Sequence, residues 1–306
     1  MIEENSRFVE PFNDIYTHDC FMNTLLCTAK YYKLDYPMLT LHKGYSYSVD
    51  GEQLGGNSVT LFPIDELALS IGLKMNKEKD CIKNWREHYK VKLERDEFII
   101  APVDDYSNPL RVDAYKKEHL PHYLLIYSMD NVNKTLSVIE SRYRTTVLYK
   151  NMKMSYNDFE RSHFETEKLY KYIYKRGKSG IKPPYKREYL HSSIQLTEQS
   201  ILSLQNNIRY LSANKVTDKK EWLKNLNDIC NQVKIMRYVF EKVFCNSDLF
   251  CSVAEIYQTW YLLRTRVVKL LMISQSDAVA PKIITYLKKI EKMERDKLNI
   301  LRLSSI

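Results

Sequence analysis

Glycine is scarce in this chain, at seven of 306 residues. Neither GxGxxG nor GxxxxGK(S/T) occurs, so the glycine-rich phosphate cradles of the common nucleotide enzymes are not expected. No run approaches the ~18 apolar residues of a membrane-spanning helix. The opening stretch, MIEENSRFVEPFND, is acidic and has no apolar core, which excludes a secretory signal in it. A cytoplasmic protein with reduced cysteines is expected. The six cysteines, at 20, 27, 81, 230, 245 and 251, form no CxxC pair, and no metal site is expected.

What is present suits a folded enzyme or binding protein. Hydrophobic residues make up 44% of the chain and aromatics 12%, enough for a sizeable core. The length fits one large domain or two ordinary ones. The net charge of +9 suits an acidic partner, although a lysine-rich surface also simply keeps a protein soluble.

The pattern changes near residue 190. Before it, residues 20–33 read as a helix ending ahead of Pro37, with Leu25, Leu26 and Ala29 on one side. SYSVDGEQLGGNSVTLF reads as strand, turn and strand. Helices are expected over 63–73 and 79–90. FIIAPV reads as a short buried strand, and 122–128 with 135–140 as a hairpin turning through Asp130–Lys134. VLYK at 147–150 adds a strand, and SYNDFERSHF a short helix capped by Ser155. Together these give an α+β domain, one helix on a mostly antiparallel sheet, over residues 1–167. Residues 168–190 read as a basic, tyrosine-rich linker; KLYKYIYKRGKSGIKPPYKR holds eight Lys or Arg and no acid. From 191 to 306, four apolar stripes spaced for helices predict an all-α bundle, in which core packing accounts for the stripes.

Two cysteines in THDCFMNTLLC differ in setting. Cys27 follows two leucines and reads as packing. Cys20 stands where the helix begins, where free amides and the positive dipole end favour a thiolate and can hold an oxyanion. A thiolate nucleophile needs a base, and the base an orienting acceptor. His122 opens one strand of the 122–140 hairpin and Glu140 ends the other, which predicts neighbours with Cβ atoms within ~5.5 Å. His119 competes for the base role, but Lys117 and Glu118 beside it indicate an exposed loop.

The chain resembles the butirosin biosynthesis protein H family, a papain-like group of bacterial acyltransferases. The resemblance covers residues 14 to about 165, and it rests on the order of several short motifs. THDCFMNTLLCTAKYYKLDYP resembles the family's His-Cys segment and helix. GYSYSV resembles its small-residue strand, and FIIAPVDDYSNPL its strand ending in Val-Asp and an aromatic. LPHYLLIYSMDNVNKTLSVIES resembles its His strand, Asp turn and acid-ending strand, and MSYNDFERS its following helix. A helical C-terminal domain is also usual there. The resemblance implies Cys20 as nucleophile, His122 as base and Glu140 as third member. An Asp stands between His18 and Cys20, and Glu140 is followed by Ser141 where the family has Asp and Pro. Papain-like enzymes often place a glutamine shortly before the cysteine for the oxyanion. None occurs here, leaving Asn13, His18 or backbone amides for that role.

The implied activity, in antibiotic-type biosynthesis, moves an acyl or peptidyl group from a carrier-protein thioester to a small-molecule amine. The chain needs no cofactor of its own, because the carrier brings its phosphopantetheine. Carrier proteins are acidic along their docking helix, so Lys171, Lys175, Arg176 and Lys178 are the expected docking cations. A cysteine peptidase, amidase or thioesterase uses the same triad and stays open. So does a basic binding module without catalysis, contacting nucleic acid through residues 168–187. Neither membrane nor nucleic acid is expected as partner in the leading reading; the bundle is a candidate face for a homo-oligomer.

Overall fold

A computed structural model of the chain describes residues 7–15, 19–50, 53–79, 84–143, 148–163, 170–178, 185–213, 219–273 and 279–305. In chain order the elements are α1 (Cys20–Tyr31), β1 (Lys43–Asp50), β2 (Gln53–Thr60), α2 (Ile64–Ser70), β3 (Leu73–Lys79), α3 (Trp85–Glu94), β4 (Phe98–Asp104), β5 (Pro121–Asp130), β6 (Thr135–Ser141), β7 (Tyr149–Ser155), α4 (Tyr156–Ser162), β8 (Tyr170–Arg176), α5 (Tyr185–Ala213), α6 (Lys219–Val239), α7 (Ser247–Ile273) and α8 (Val279–Ser304). They form two compact units. One comprises Met1–Leu39 with Ile64–Lys182; the other comprises Thr40–Pro63 with Pro183–Ile306.

The first unit is built on a six-stranded antiparallel sheet in the order β3-β8-β4-β5-β6-β7. β4 is buried from Phe98 to Val103, because helices cover both faces of the sheet. On one face Ile99, Ala101, Val103, Leu124, Ile126, Val138 and Ile173 pack against Trp85 and Tyr89 of α3 and Phe159 of α4. α1 covers the other face, where Phe21 meets Tyr123, Tyr172 and Tyr174 edge-on. The β5–β6 turn is tied by Asp130, whose carboxylate accepts the backbone and side-chain N–H groups of Asn133 at 2.8 and 2.7 Å. Ser155 caps α4 as expected, its hydroxyl accepting from Asp158 N at 3.0 Å.

Three assignments differ from the sequence reading. Between the helices expected over 63–73 and 79–90, where the sequence reading assigns no element, Leu73–Lys79 forms β3, and α3 starts only at Trp85. The strand expected at 147–150 runs from Tyr149 to Ser155. The supposed linker contains β8, the second strand of the sheet, paired with β3 and β4. YKYIYKR alternates with period two: Lys171 and Ile173 face α3, while Tyr172 and Tyr174 face α1. Burial of β-favouring tyrosine and isoleucine outweighs the run's positive charge.

The second unit holds the four expected helices. α5 packs on α8, α8 on α7 and α7 on α6. Leu204, Leu226, Ile229, Val233, Ile256, Trp260, Leu287 and Leu301 are buried, so the stripes do form the core. The bundle is not made of helices alone, however. The β1–β2 hairpin, read from sequence as part of the N-terminal domain, belongs here, with β1 on α5 and β2 on α6. Tyr47 of β1 fastens it: its N–H donates to Ser200 Oγ (3.1 Å) and its carbonyl accepts from Ser203 Oγ (2.9 Å). Its buried hydroxyl donates to Glu294 Oε1 (2.6 Å) and accepts from Trp260 Nε1 (3.0 Å). The domain boundaries at 167 and 191 are corrected accordingly. No helix among the described residues is long and apolar enough to cross a membrane.

Candidate active site

Cys20 is the first residue of α1. Asp19 before it is extended (φ −140°, ψ 113°), and its carboxylate accepts the Phe21 N–H at 2.9 Å. An Asp in that conformation is a strong N-cap, so the helix starts at the cysteine. Cys20 is partly exposed as a residue. Cys27, two turns along the same helix, is fully buried. It accepts from Phe12 N (3.2 Å) and faces Asn23 Oδ1 (3.4 Å), and burial pushes its thiol up to about 12. A thiol so held stays neutral, and Cys27 is packing, as its leucine neighbours indicate.

His122 is the second residue of β5 and is 5% exposed. Its Nε2 lies 2.8 Å from Glu140 Oε2, and the Cys20 thiol is near enough to act on the same ring electrostatically. Burial alone lowers the proton affinity of the ring, but the fields of Glu140 and Cys20 overcome it and raise His122 well above its ordinary value. Glu140 shifts the other way. Burial favours its neutral form, yet His122, then Arg111 and the Ser141 N–H, hold it below the usual glutamate range.

The β5–β6 pairing runs from Asp130 and Thr135 as far as Leu125 and Ile139, and His122 and Glu140 meet just beyond its last pair.

Sequence reasoning missed the residues behind Glu140. Its Oε1 accepts from Ser141 N (2.7 Å) and lies 3.5 Å from Arg111 Nη1; Asn108 Nδ2 is 3.4 Å from Oε2. Arg111 also pairs with Asp105, at 3.8 Å, and Asp113, at 3.5 Å. The available signal was DDYSNPLR, a polar and charged run following directly on the apolar strand FIIAPV. Asp105, His122 and Glu140 bring potential ligand atoms within 4.8 Å of one another, as a metal site does. The Arg111 guanidinium already supplies the cation for both carboxylates, so the cluster is an ion-pair network.

The other expected site residues fare differently. The Asn13 amide is committed to Tyr149, donating to its carbonyl (3.1 Å) and accepting its N–H (2.9 Å). His18 lies outside the described residues. His119 is exposed, stacks on Tyr106 with ring centroids 4.1 Å apart, and meets Asp104 Oδ2 at 2.7 Å. Of the proposed docking cations, Lys171 is only 4% exposed, with its ammonium 5.7 Å from the centre of the Tyr89 ring, so it is corrected to a structural role. Lys175 pairs with Glu97 at 3.8 Å; Arg176 and Lys178 are exposed. No protein-family model matches the chain, and no curated protein is similar to it.

Proposed function

We propose that the chain is a papain-like cysteine acyltransferase. It takes an acyl or peptidyl group from the thioester of an acidic carrier protein and passes it to a small-molecule amine in the cytoplasm, in specialised-metabolite assembly. The observation that carries this reading is that one buried ring, His122, is hydrogen-bonded to Glu140 and lies within the electrostatic reach of Cys20. The motif order that resembles the butirosin biosynthesis protein H family supplies the substrate class.

In the first half-reaction the Cys20 sulfur gives up its proton to His122 and attacks the thioester carbonyl. The C–S bond forms, the carbonyl pair moves to oxygen, and collapse expels the carrier's thiol, which takes the proton from His122. In the second half-reaction the amine attacks the acyl-enzyme. His122 accepts a proton from the nitrogen, and Cys20 leaves as the restored nucleophile. Glu140 fixes the ring orientation and balances the imidazolium charge in both halves. Arg176 and Lys178 offer exposed positive charge to an acidic carrier, which raises its on-rate.

Intact-mass measurement after mixing with an acylated carrier protein tests this. Wild type gains the acyl mass and Cys20→Ala does not. Added amine then discharges the adduct faster than water does. An adduct that forms equally on Cys20→Ala ends the proposal; discharge by water alone converts the enzyme to a hydrolase.

A further inference from the structure

Behind His122 lies a second carboxylate that the proposed chemistry leaves unused. Asp105, Asn108 and Arg111 follow β4 in three successive turns. Asn108 N donates to Asp105 O (3.3 Å), Arg111 N to Asn108 O (3.1 Å) and Ala114 N to Arg111 O (3.1 Å). Turns closed at every third residue bring residues at that spacing to one side. All three side chains are buried, Asp105 and Arg111 at 2% exposed and Asn108 fully.

Asn108 Nδ2 stands 3.4 Å from Asp105 Oδ1 and equally far from Glu140 Oε2, so one amide bridges the two acids. Arg111 does the same with charge, Nη2 towards Asp105 and Nη1 towards Glu140. The ring nitrogen of His122 lies within 4.8 Å of an oxygen of each carboxylate. Among the described residues, the charged or titratable groups around the ring are Cys20 from α1, Glu140 from β6, and Asp105 and Arg111 from the segment after β4. Asp113 and Tyr149 act on Arg111 from further out.

We propose that Asp105 and Arg111 are positioning residues that set the charge balance around His122. Asp105 places a second negative charge behind the ring, and Arg111 offsets it while holding Glu140 in line with Nε2. Burial raises the Asp105 carboxyl, and the fields of His122 and Arg111 oppose that rise. A carboxylate at this range moves a neighbour's titration by about one unit or more. Asp105 and Arg111 thus act on His122 with opposite sign. The inference rests on His122 as the base paired with Cys20, but not on the identity of the acyl donor.

The test is the pH dependence of Cys20 alkylation by iodoacetamide, read by mass spectrometry on the Cys20 peptide of the full chain. The profile contains a step that marks loss of the His122 proton. Asp105→Asn, nearly isosteric, is expected to move that step to lower pH; Arg111→Met moves it to higher pH. Each displacement changes the rate at a fixed pH on the step by about tenfold. The double variant returns the step to its wild-type place, and Arg111→Lys leaves it there. Steps that stay in place in Asp105→Asn, or that move the same way in both single variants, overturn the proposal. Should Arg111→Met fail to fold, Asp105→Asn and Arg111→Lys still decide it. If the shifts occur while carrier thioesters leave Cys20 unmodified, the acyltransferase reading fails and this one stands. If Cys20 acylates but the step never moves, the reverse holds.

Discussion

Cys20 and Cys27 lie two turns apart on one helix, and their surroundings give them opposite chemistry. Burial pushes the Cys27 thiol up to about 12, whereas Cys20 lies within the electrostatic reach of the His122 ring. Cys27→Ala is expected to leave carrier-dependent acylation intact and to cost about 1 kcal/mol of stability, measured by urea unfolding. Glu140→Gln keeps the shape and removes the charge that steadies His122. Single-turnover acylation should slow about 10²-fold or more. The pair also leaves a pH signature. His122 has its folded value raised above 6.5, so its stabilisation is complete below 6.5 and fades as pH rises through the folded value. Glu140 has its folded value lowered below 4.5, so its share is complete above 4.5 and fades as pH falls through the folded value. The stability gap between wild type and His122→Gln should therefore be widest between 4.5 and 6.5 and narrow on the alkaline side. Urea midpoints across pH check this; a gap that grows with alkali contradicts it.

At the scale of elements, local signals were legible where they acted alone. The N-terminal edge of α1 was readable, because an extended Asp cap precedes an apolar helical side. Asp19→Ala should cost about 1 kcal/mol in urea unfolding and slow acylation by releasing the turn that carries Cys20. The C-terminal end of α1 fell two residues early, since Lys33 adopts φ 55° and turns the chain before Pro37. The β5–β6 hairpin followed from its turn residues, which also gave the His122–Glu140 partnership. Its bulge between Ile126 and Ser128 was not legible. β8 was hidden because its charge density resembles that of a solvated linker. Only the sheet explains why Lys171 is covered.

At the scale of the molecule, the sequence conveyed two units but not their membership. The hairpin at 43–60 was visible as an element, while its place depends on contacts made hundreds of residues away. Tyr47 reaches Glu294 and Trp260 on helices near the other end of the chain. Tyr47→Phe removes a donor from a buried carboxylate, and a loss of about 1.5–3 kcal/mol in urea unfolding is expected. Arg111 and Asp105 were hidden for a similar reason, since their partner Glu140 arrives from a strand some thirty residues on. The central claim concerns one sulfur, so relative thiol reactivity tests it most directly. Cys245 and Cys251 are exposed, and Cys20 is only partly so. Peptide mapping after brief iodoacetamide treatment at neutral pH should find Cys20 labelled first, with that lead lost in His122→Gln. Labelling in order of exposure, with Cys245 and Cys251 ahead, would contradict the account.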